Sequence, residues 1–383
     1  MNLETLSQAD IQQAISNALV IVKGNLREFT YDSQLHSSVN NFYPQHANTL
    51  WTTGFWPGVL WLSYELSQDA TLKYAAQIQV QSFKHRIENL IEVEHHDMGF
   101  LYSPSCVAAW KLANDEDARH AAILAADQLL TRYQPVGEFI QAWGEKNAPD
   151  NYRYIIDCLL NVPLLYWAYE QTDDPKYLDV ARKHTETTYQ NSVRYDGSTF
   201  HTFFMDMKTG EPRYGSACQG YKDDSTWARG QAWGIYGFAL AYRYTNDDKY
   251  KVIFERVLEY YLQFLPQDQI PYWDFTFTEG AEPRDSSSAA ITACGLLEMA
   301  SLVDSESADR YTALARSMVK NLISHYAVKD STTSNGLLLH STYSKKSPYN
   351  TCTEEGVDEC VSWGDYFYLE ALTRLSIQWQ PYW

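Results

Sequence analysis

Six segments of this chain are apolar on nearly every side, and each is separated from the next by polar, charged sequence. They are "TGFWPGVLWLSYEL" (53–66), "GFLYSPSCVAAWKLA" (99–113), "RYIIDCLLNVPLLYWAYEQ" (153–171), "WARGQAWGIYGFALAYRY" (227–244), "SAAITACGLLEMASLV" (288–303) and "WGDYFYLEALTRLS" (363–376). A helix with no polar face must be buried on several sides. Five of the segments run into a short polar turn: "SQDATL", "NDEDAR", "TDDPKY", "TNDDKY" and "DSESADRY". Each turn reads as an Asp-capped start of an amphipathic surface helix. A further amphipathic helix is expected near the N-terminus, at about residues 8–30. Six buried helices alternating with six surface helices close naturally into a double-walled ring. The expected fold is all-α, an (α/α)6 barrel formed as one domain over residues 1–383, with an open α-solenoid as the alternative. Short β-hairpins are expected in the long loops at 198–215 and 336–346.

The long connections all precede the buried helices, so a ring gathers them at one rim. That rim also presents six helix N-termini, whose partial positive charge suits an anionic ligand. An aromatic-lined bowl at this end is the expected site. The chain carries 29 Tyr and 12 Trp, enough to fill a core and to supply stacking platforms for sugar rings. A net charge of −18 argues against nucleic acid and against anionic membrane surfaces as partners. No run of 18 apolar residues suggests a membrane span, and the N-terminal sequence does not read as a signal peptide. Six Cys at 106, 158, 218, 294, 352 and 360 form no CxxC pair, which suits reduced thiols in the cytoplasm.

Asp157 is the one charged residue between Ile155 and Trp167. A carboxylate among Ile, Leu and Val is costly unless it is paired or protonated. As a structural group it would pair with Arg153, four residues back on the expected helix. As a catalyst it would be a general acid whose pKa is raised by burial. Asp97, just ahead of the second buried segment, is either an N-cap or a second catalytic acid. His95 and His96 beside it raise the thought of a metal, but adjacent residues do not converge easily on one ion, and no metal and no cofactor are expected. Arg229, between Trp227 and Trp233, is either a clamp for a sugar carboxylate or a cation–π brace in the wall. Trp51, Trp143, His201 and Gln219 belong to the same rim. Ser341, Ser344 and Lys346 offer hydroxyls and an ammonium that suit a sulfate or phosphate, or else form an ordinary solvated loop. There is no phosphate-binding Gly loop, no GxSxG elbow and no zinc motif. Two carboxylates among aromatics point to glycosidic bond chemistry.

The stretches "HHDMGFLYSPS", "IQAWG", "RYIIDCLLNVPLLYWA", "STWARGQAWGIYGFALAYRY", "YWDF", "RDSSSAAITACGLLEMAS" and "WGDYFYLEALTRL" closely resemble the unsaturated glucuronyl hydrolases, glycoside hydrolase family 88. The resemblance runs in order from Trp51 to Leu375. It implies an (α/α)6 barrel, usually intracellular, that removes a Δ4,5-unsaturated uronic acid from the non-reducing end of lyase-cut glycosaminoglycan fragments. By this resemblance Asp157 is the general acid/base, protonating C4 of the vinyl ether while water adds at C5. Asp97 is the second essential acid. His96, Trp51, Trp143, His201, Gln219, Trp227, Arg229 and Trp233 match substrate-binding positions. The pattern Ser341-x-x-Ser344-x-Lys346 resembles members acting on sulfated chondroitin disaccharides. The implied partner is a small unsaturated, sulfated disaccharide, with the protein a monomer or homodimer. Cys218 departs from the pattern, standing where the family would carry a basic residue. Rival readings are an unsaturated rhamnogalacturonyl hydrolase, an inverting (α/α)6 glycosidase on saturated sugars, and a non-catalytic sugar-binding ring.

Overall fold

A computed structural model describes residues 5–383. It contains twelve principal helices in alternating outer and inner positions. The outer set is α1 (Gln8–Phe29), α3 (Ala70–Glu88), α5 (Glu116–Leu130), α7 (Pro175–Asn191), α9 (Asp248–Gln263) and α11 (Ser305–Asn321). The inner set is α2 (Phe55–Ser67), α4 (98–113), α6 (158–172), α8 (Ala228–Thr245), α10 (Ser286–Ala300) and α12 (Ser362–Ser376). Consecutive inner helices pack on one another, and α12 packs back on α2, which closes the ring and excludes the open solenoid.

Local sequence explains this regularity. Asp69, Asp115, Asp174, Asp247 and Asp304 each accept a backbone N–H in the first turn of the following outer helix. Ser7 and Asp10 form a reciprocal capping box on α1. The inner helices approach so closely that side chains are excluded at some crossings. A Cβ on Gly295 of α10 would stand 2.8 Å from Tyr236 Cα of α8, and one on Gly99 of α4 would stand 2.3 Å from Asn161 Cα of α6.

One end of the ring is sealed by a buried polar network. Tyr236 donates to Glu370 (2.6 Å), Arg374 bridges Glu370 and Glu298 (2.9 Å each), and the Trp383 indole N–H donates to Glu370 (2.8 Å). The open end is the one that carries the long loops.

Two expectations about local structure change. Residues 153–171 are not one helix. After two short antiparallel pairs, β1 (Ser33–Gln34) with β2 (Gln45–His46) and β3 (Tyr133–Gln134) with β4 (Phe139–Ile140), Arg153–Ile155 is a strand, β5, and Asp157 stands at the entry to α6 rather than a turn inside it. The reason is pairing: β5 lies antiparallel to β6 (Thr202–Met205), with Tyr154 opposite Phe203 and Ile155 opposite Thr202. The expected hairpin over 198–215 is present as β6 and β7 (Pro212–Ser216), completing a three-stranded sheet. Residues 336–346 do not form a hairpin by themselves. They contribute β8 (Ser341–Ser344), which pairs with β9 (Glu355–Glu359) across a longer loop. No helix among the described residues is long and apolar enough to cross a membrane.

Candidate active site

A cavity of about 360 Å³ opens at the loop-bearing end of the ring. Its wall includes Trp51, His96, Asp97, Trp143, Asp157, His201, Gln219, Trp227, Arg229 and Trp233, so ten of the positions singled out in the sequence share one cavity. Most precede an inner helix or stand in its first turns, which is why residues scattered along the chain converge. Ser341, Ser344 and Lys346 do not line it, although Tyr343 between them does. The Ser341 hydroxyl is buried against the Ser286 hydroxyl (2.7 Å), and Ser344 donates to Thr353 O (2.8 Å). Lys346 is exposed.

Asp157 and Asp97 sit on either side of one imidazole. His96 Nε2 is 3.3 Å from Asp97 Oδ1 and 3.5 Å from Asp157 Oδ1. Burial pushes the His96 pKa down to about 4, so the ring is neutral near pH 7. Its Nδ1 is buried without a hydrogen-bond partner, which places the N–H on Nε2, facing the two carboxyl groups.

The two acids have opposite electrostatics. Burial, and then the charge of Asp97, raise the Asp157 pKa well above the ordinary carboxylate range, with Arg229 acting against them. Burial also pushes Asp97 upward, but His96, His95 and Asn161 outweigh it and hold Asp97 below its usual value. The surroundings therefore favour the proton on Asp157 and the charge on Asp97, the division of labour an acid catalyst needs. Arg153 takes no part. Its guanidinium lies over Trp143 (4.9 Å) and Phe204 (5.5 Å) and donates to Asp150 O (3.1 Å), so the structural pairing with Asp157 is not made.

Arg229 is a brace. It pairs with the fully buried Asp285 (2.9 Å), donates to Gln219 Oε1 (3.1 Å), and caps the carbonyls of Thr342 and Tyr343. Its guanidinium is sandwiched between Trp227 (4.4 Å) and Trp363 (4.8 Å), not between Trp227 and Trp233. Trp363 in turn stacks on Trp51 at 5.3 Å. The sequence reading missed Asp285, 56 positions from its partner, and Tyr343, whose hydroxyl accepts from the Trp51 indole N–H (3.2 Å). His201 is buried, held by Thr202 Oγ1 (2.7 Å), with its ring edge-on to Trp227 at 4.7 Å.

Metal-binding atoms do converge here, against the sequence argument. Ligand atoms of His96, Asp97 and Asp157 lie within 4.8 Å of one another, because Asp157 arrives from a different loop. A cation among them would hold Asp157 ionised, so metal binding and proton donation by Asp157 are mutually exclusive.

The glycosyl hydrolase family 88 model matches residues 24–364. The chain belongs to that family. A protein of Streptococcus pyogenes serotype M1, named unsaturated chondroitin disaccharide hydrolase, is 46% identical over 381 residues, covering 99% of this chain and 94% of its own length. The unsaturated glucuronyl hydrolase of Bacillus sp. (strain GL1) is 43% identical over 97% of this chain and 98% of its own. The crystal structure of unsaturated glucuronyl hydrolase from Streptococcus agalactiae superposes with a TM-score of 0.95 at 45% identity, covering 100% of this chain and 95% of that one. As a member of family 88, the chain is a glycoside hydrolase with the (α/α)6 architecture of these relatives.

Proposed function

We propose that this protein removes a Δ4,5-unsaturated uronic acid from the non-reducing end of lyase-generated glycosaminoglycan oligosaccharides. The observation that carries the proposal is the pairing of two buried acids, Asp157 with its pKa raised by burial and by Asp97, and Asp97 held below its usual value, in a cavity walled by Trp51, Trp143, Trp227 and Trp233. Hydrating a vinyl ether needs one proton donor at near-neutral pH, and a carboxyl group in this setting is one. Asp157 delivers its proton to C4, and a water, relieved of its proton by the Asp157 carboxylate, adds at C5. The resulting hemiketal collapses, the ring opens and the glycosidic bond is released. The neutral His96 ring stands between the two carboxyl groups. The indoles and His201 provide surfaces for the sugar rings, and Arg229 positions Gln219.

The relatives support this substrate class. A mutant of the S. agalactiae protein has been solved complexed with dGlcA-GalNAc6S, a structure that matches this chain with a TM-score of 0.87 at 42% identity. A preference for sulfated disaccharides rests on Ser344 and Lys346, on the loop that follows the wall residue Tyr343. Ser341 is occupied internally by Ser286 and supports that loop from behind. The whole chain is proposed to act as a single catalytic unit, because helices from α1 to α12 all belong to the ring. Six free cysteines suit a reducing compartment such as the cytoplasm.

The experiment is loss of the conjugated alkene's ultraviolet absorbance when the protein meets unsaturated chondroitin, hyaluronan and pectin-derived disaccharides. Turnover of the glycosaminoglycan fragments is expected. Turnover of pectin fragments alone would move the protein to the rhamnogalacturonyl reading, and turnover of none would sink the proposal. Comparing 6-sulfated with unsulfated disaccharides in the wild type and Lys346→Ala tests the sulfate preference, which the substitution should erase.

A further inference from the structure

All six cysteines are free, and four of them (Cys106, Cys158, Cys294 and Cys360) are buried. The two that solvent reaches, Cys218 and Cys352, are 134 positions apart in sequence and adjacent in space. The Cys352 thiol donates to the Cys218 carbonyl oxygen at 3.2 Å, which brings the two residues into direct contact. They sit on two loops that run side by side along the rim of the cavity. Asn350 Nδ2 donates to Gly220 O (2.9 Å) and Ser347 Oγ donates to Tyr221 O (2.6 Å), so the loops are already tied together beside the two cysteines. Cys218 has a left-handed backbone (φ 38°) and immediately precedes Gln219, which lines the cavity and accepts from Arg229.

We propose that Cys218 and Cys352 form an oxidant-responsive thiol pair, closed to a disulfide by peroxide, that acts on the active site through Gln219. The chemistry balances in two steps. The Cys352 thiolate attacks hydrogen peroxide, giving a sulfenic acid and hydroxide. The Cys218 thiol then displaces water from that sulfenic acid, forming the S–S bond, so that two electrons pass from the sulfurs to peroxide. The surroundings divide the roles. The Cys218 thiol, and more weakly Ser344, Lys346 and Arg229, pull the Cys352 thiol down to about 7, whereas Cys218 is held protonated by its partner and by burial. A thiolate beside cations and within reach of solvent is the reactive kind of cysteine, and burial raises the four remaining thiols out of that range. A covalent S–S bond is shorter than the thiol–thiol contact it replaces, so closing it draws residue 218 toward the 345–354 loop and displaces Gln219 from Arg229.

The test needs no substrate in its first half. Treat the full chain with stoichiometric hydrogen peroxide and read its intact mass and peptide map. The expected result is a loss of two hydrogens, a single Cys218–Cys352 cross-link, and reversal by dithiothreitol. Added oxygens without a cross-link, a cross-link through another cysteine, or unreacted thiols would overturn the pair. Cys352→Ser should abolish the cross-link, and the wild-type map decides the question even if that variant folds poorly. The second half uses whichever unsaturated disaccharide the wild type turns over. KM should rise several-fold in the cross-linked protein and recover on reduction. An unchanged KM in fully cross-linked protein would overturn the link to Gln219 while leaving the assigned reaction intact.

Discussion

His96 Nε2 stands 3.5 Å from Asp157 Oδ1, on the side of the ring that carries its only proton. The same nitrogen is 3.3 Å from Asp97 Oδ1, so one neutral imidazole stands between the two acids. This explains how two carboxyl groups can share a buried site. Asp97 takes the ionised role because His95, His96 and Asn161 favour its charge. Asp157 has no comparable support, its Oδ1 finds no hydrogen-bond partner among the described residues, and it keeps its proton.

Asp157→Asn keeps the shape of the side chain and removes the transferable proton. A positioned general acid contributes about 10²–10⁴-fold to rate. The kcat of the variant should fall by about 10³-fold, with KM nearly unchanged. Steady-state kinetics on an unsaturated disaccharide checks this, and a variant with wild-type kcat would remove Asp157 from the proton-transfer step.

Asp97→Asn should alter the pH profile as well as the rate. The negative charge of Asp97 helps to keep Asp157 protonated. Without it the Asp157 pKa falls, and activity that requires the protonated acid is lost at lower pH. The alkaline limb of kcat/KM should therefore move toward acid, accompanied by about a 10²-fold drop in kcat. A lower rate with an unmoved alkaline limb would mean that Asp97 only binds substrate.

Chelation separates the two uses of the His96, Asp97 and Asp157 cluster. Prolonged dialysis against EDTA should leave kcat unchanged, because a protonated Asp157 does the work. Activity lost to EDTA and restored by a divalent cation would instead make the cluster a metal centre.

Much of this architecture is written locally. The Asp at five of the six outer-helix starts acts within three residues of itself, so these caps and the alternation of twelve helices can be read from short windows. What escapes is non-local. Strand β5 reads as helix because Tyr154 and Ile155 are apolar in either conformation, and only pairing with Phe203 and Thr202 decides between them. Strand β9 is acidic, "EGVDE", and becomes a strand only through β8. The sequence left Arg229 open between clamp and brace, and the choice falls to Asp285, which no spacing rule connects to it.

That ion pair makes Arg229 a stability determinant. Among the described residues, Arg229→Met would leave the fully buried Asp285 carboxylate with the Ser287 hydroxyl as its remaining side-chain hydrogen bond, and would release the Thr342 and Tyr343 carbonyls. Breaking one half of a buried ion pair costs about 3–5 kcal/mol. Denaturant titration should register that loss, and adding Asp285→Asn should recover part of it. Equal stability of wild type and Arg229→Met would contradict the brace.

The buried imidazoles set the acid stability of the fold, and His184 isolates the effect because it lies outside the cavity wall. Both of its ring nitrogens are buried without partners, and burial, followed by repulsion from His96, pushes its pKa to about 3. In the unfolded chain His titrates near 6.5, so as pH falls below that value the unfolded state takes up a proton that the folded state refuses. Stability is therefore full above about 6.5 and drains away toward about 3, and one such group costs about 2 kcal/mol at about pH 5. His96 and His201, pushed to about 4 and about 3, drain in the same direction. His184→Leu removes one of the three. Its unfolding free energy should fall less than that of the wild type between about pH 7.5 and about pH 5, by about 2 kcal/mol. Urea titrations at the two pH values measure the difference. If the variant loses as much stability on acidification as the wild type does, His184 is not a neutral buried imidazole.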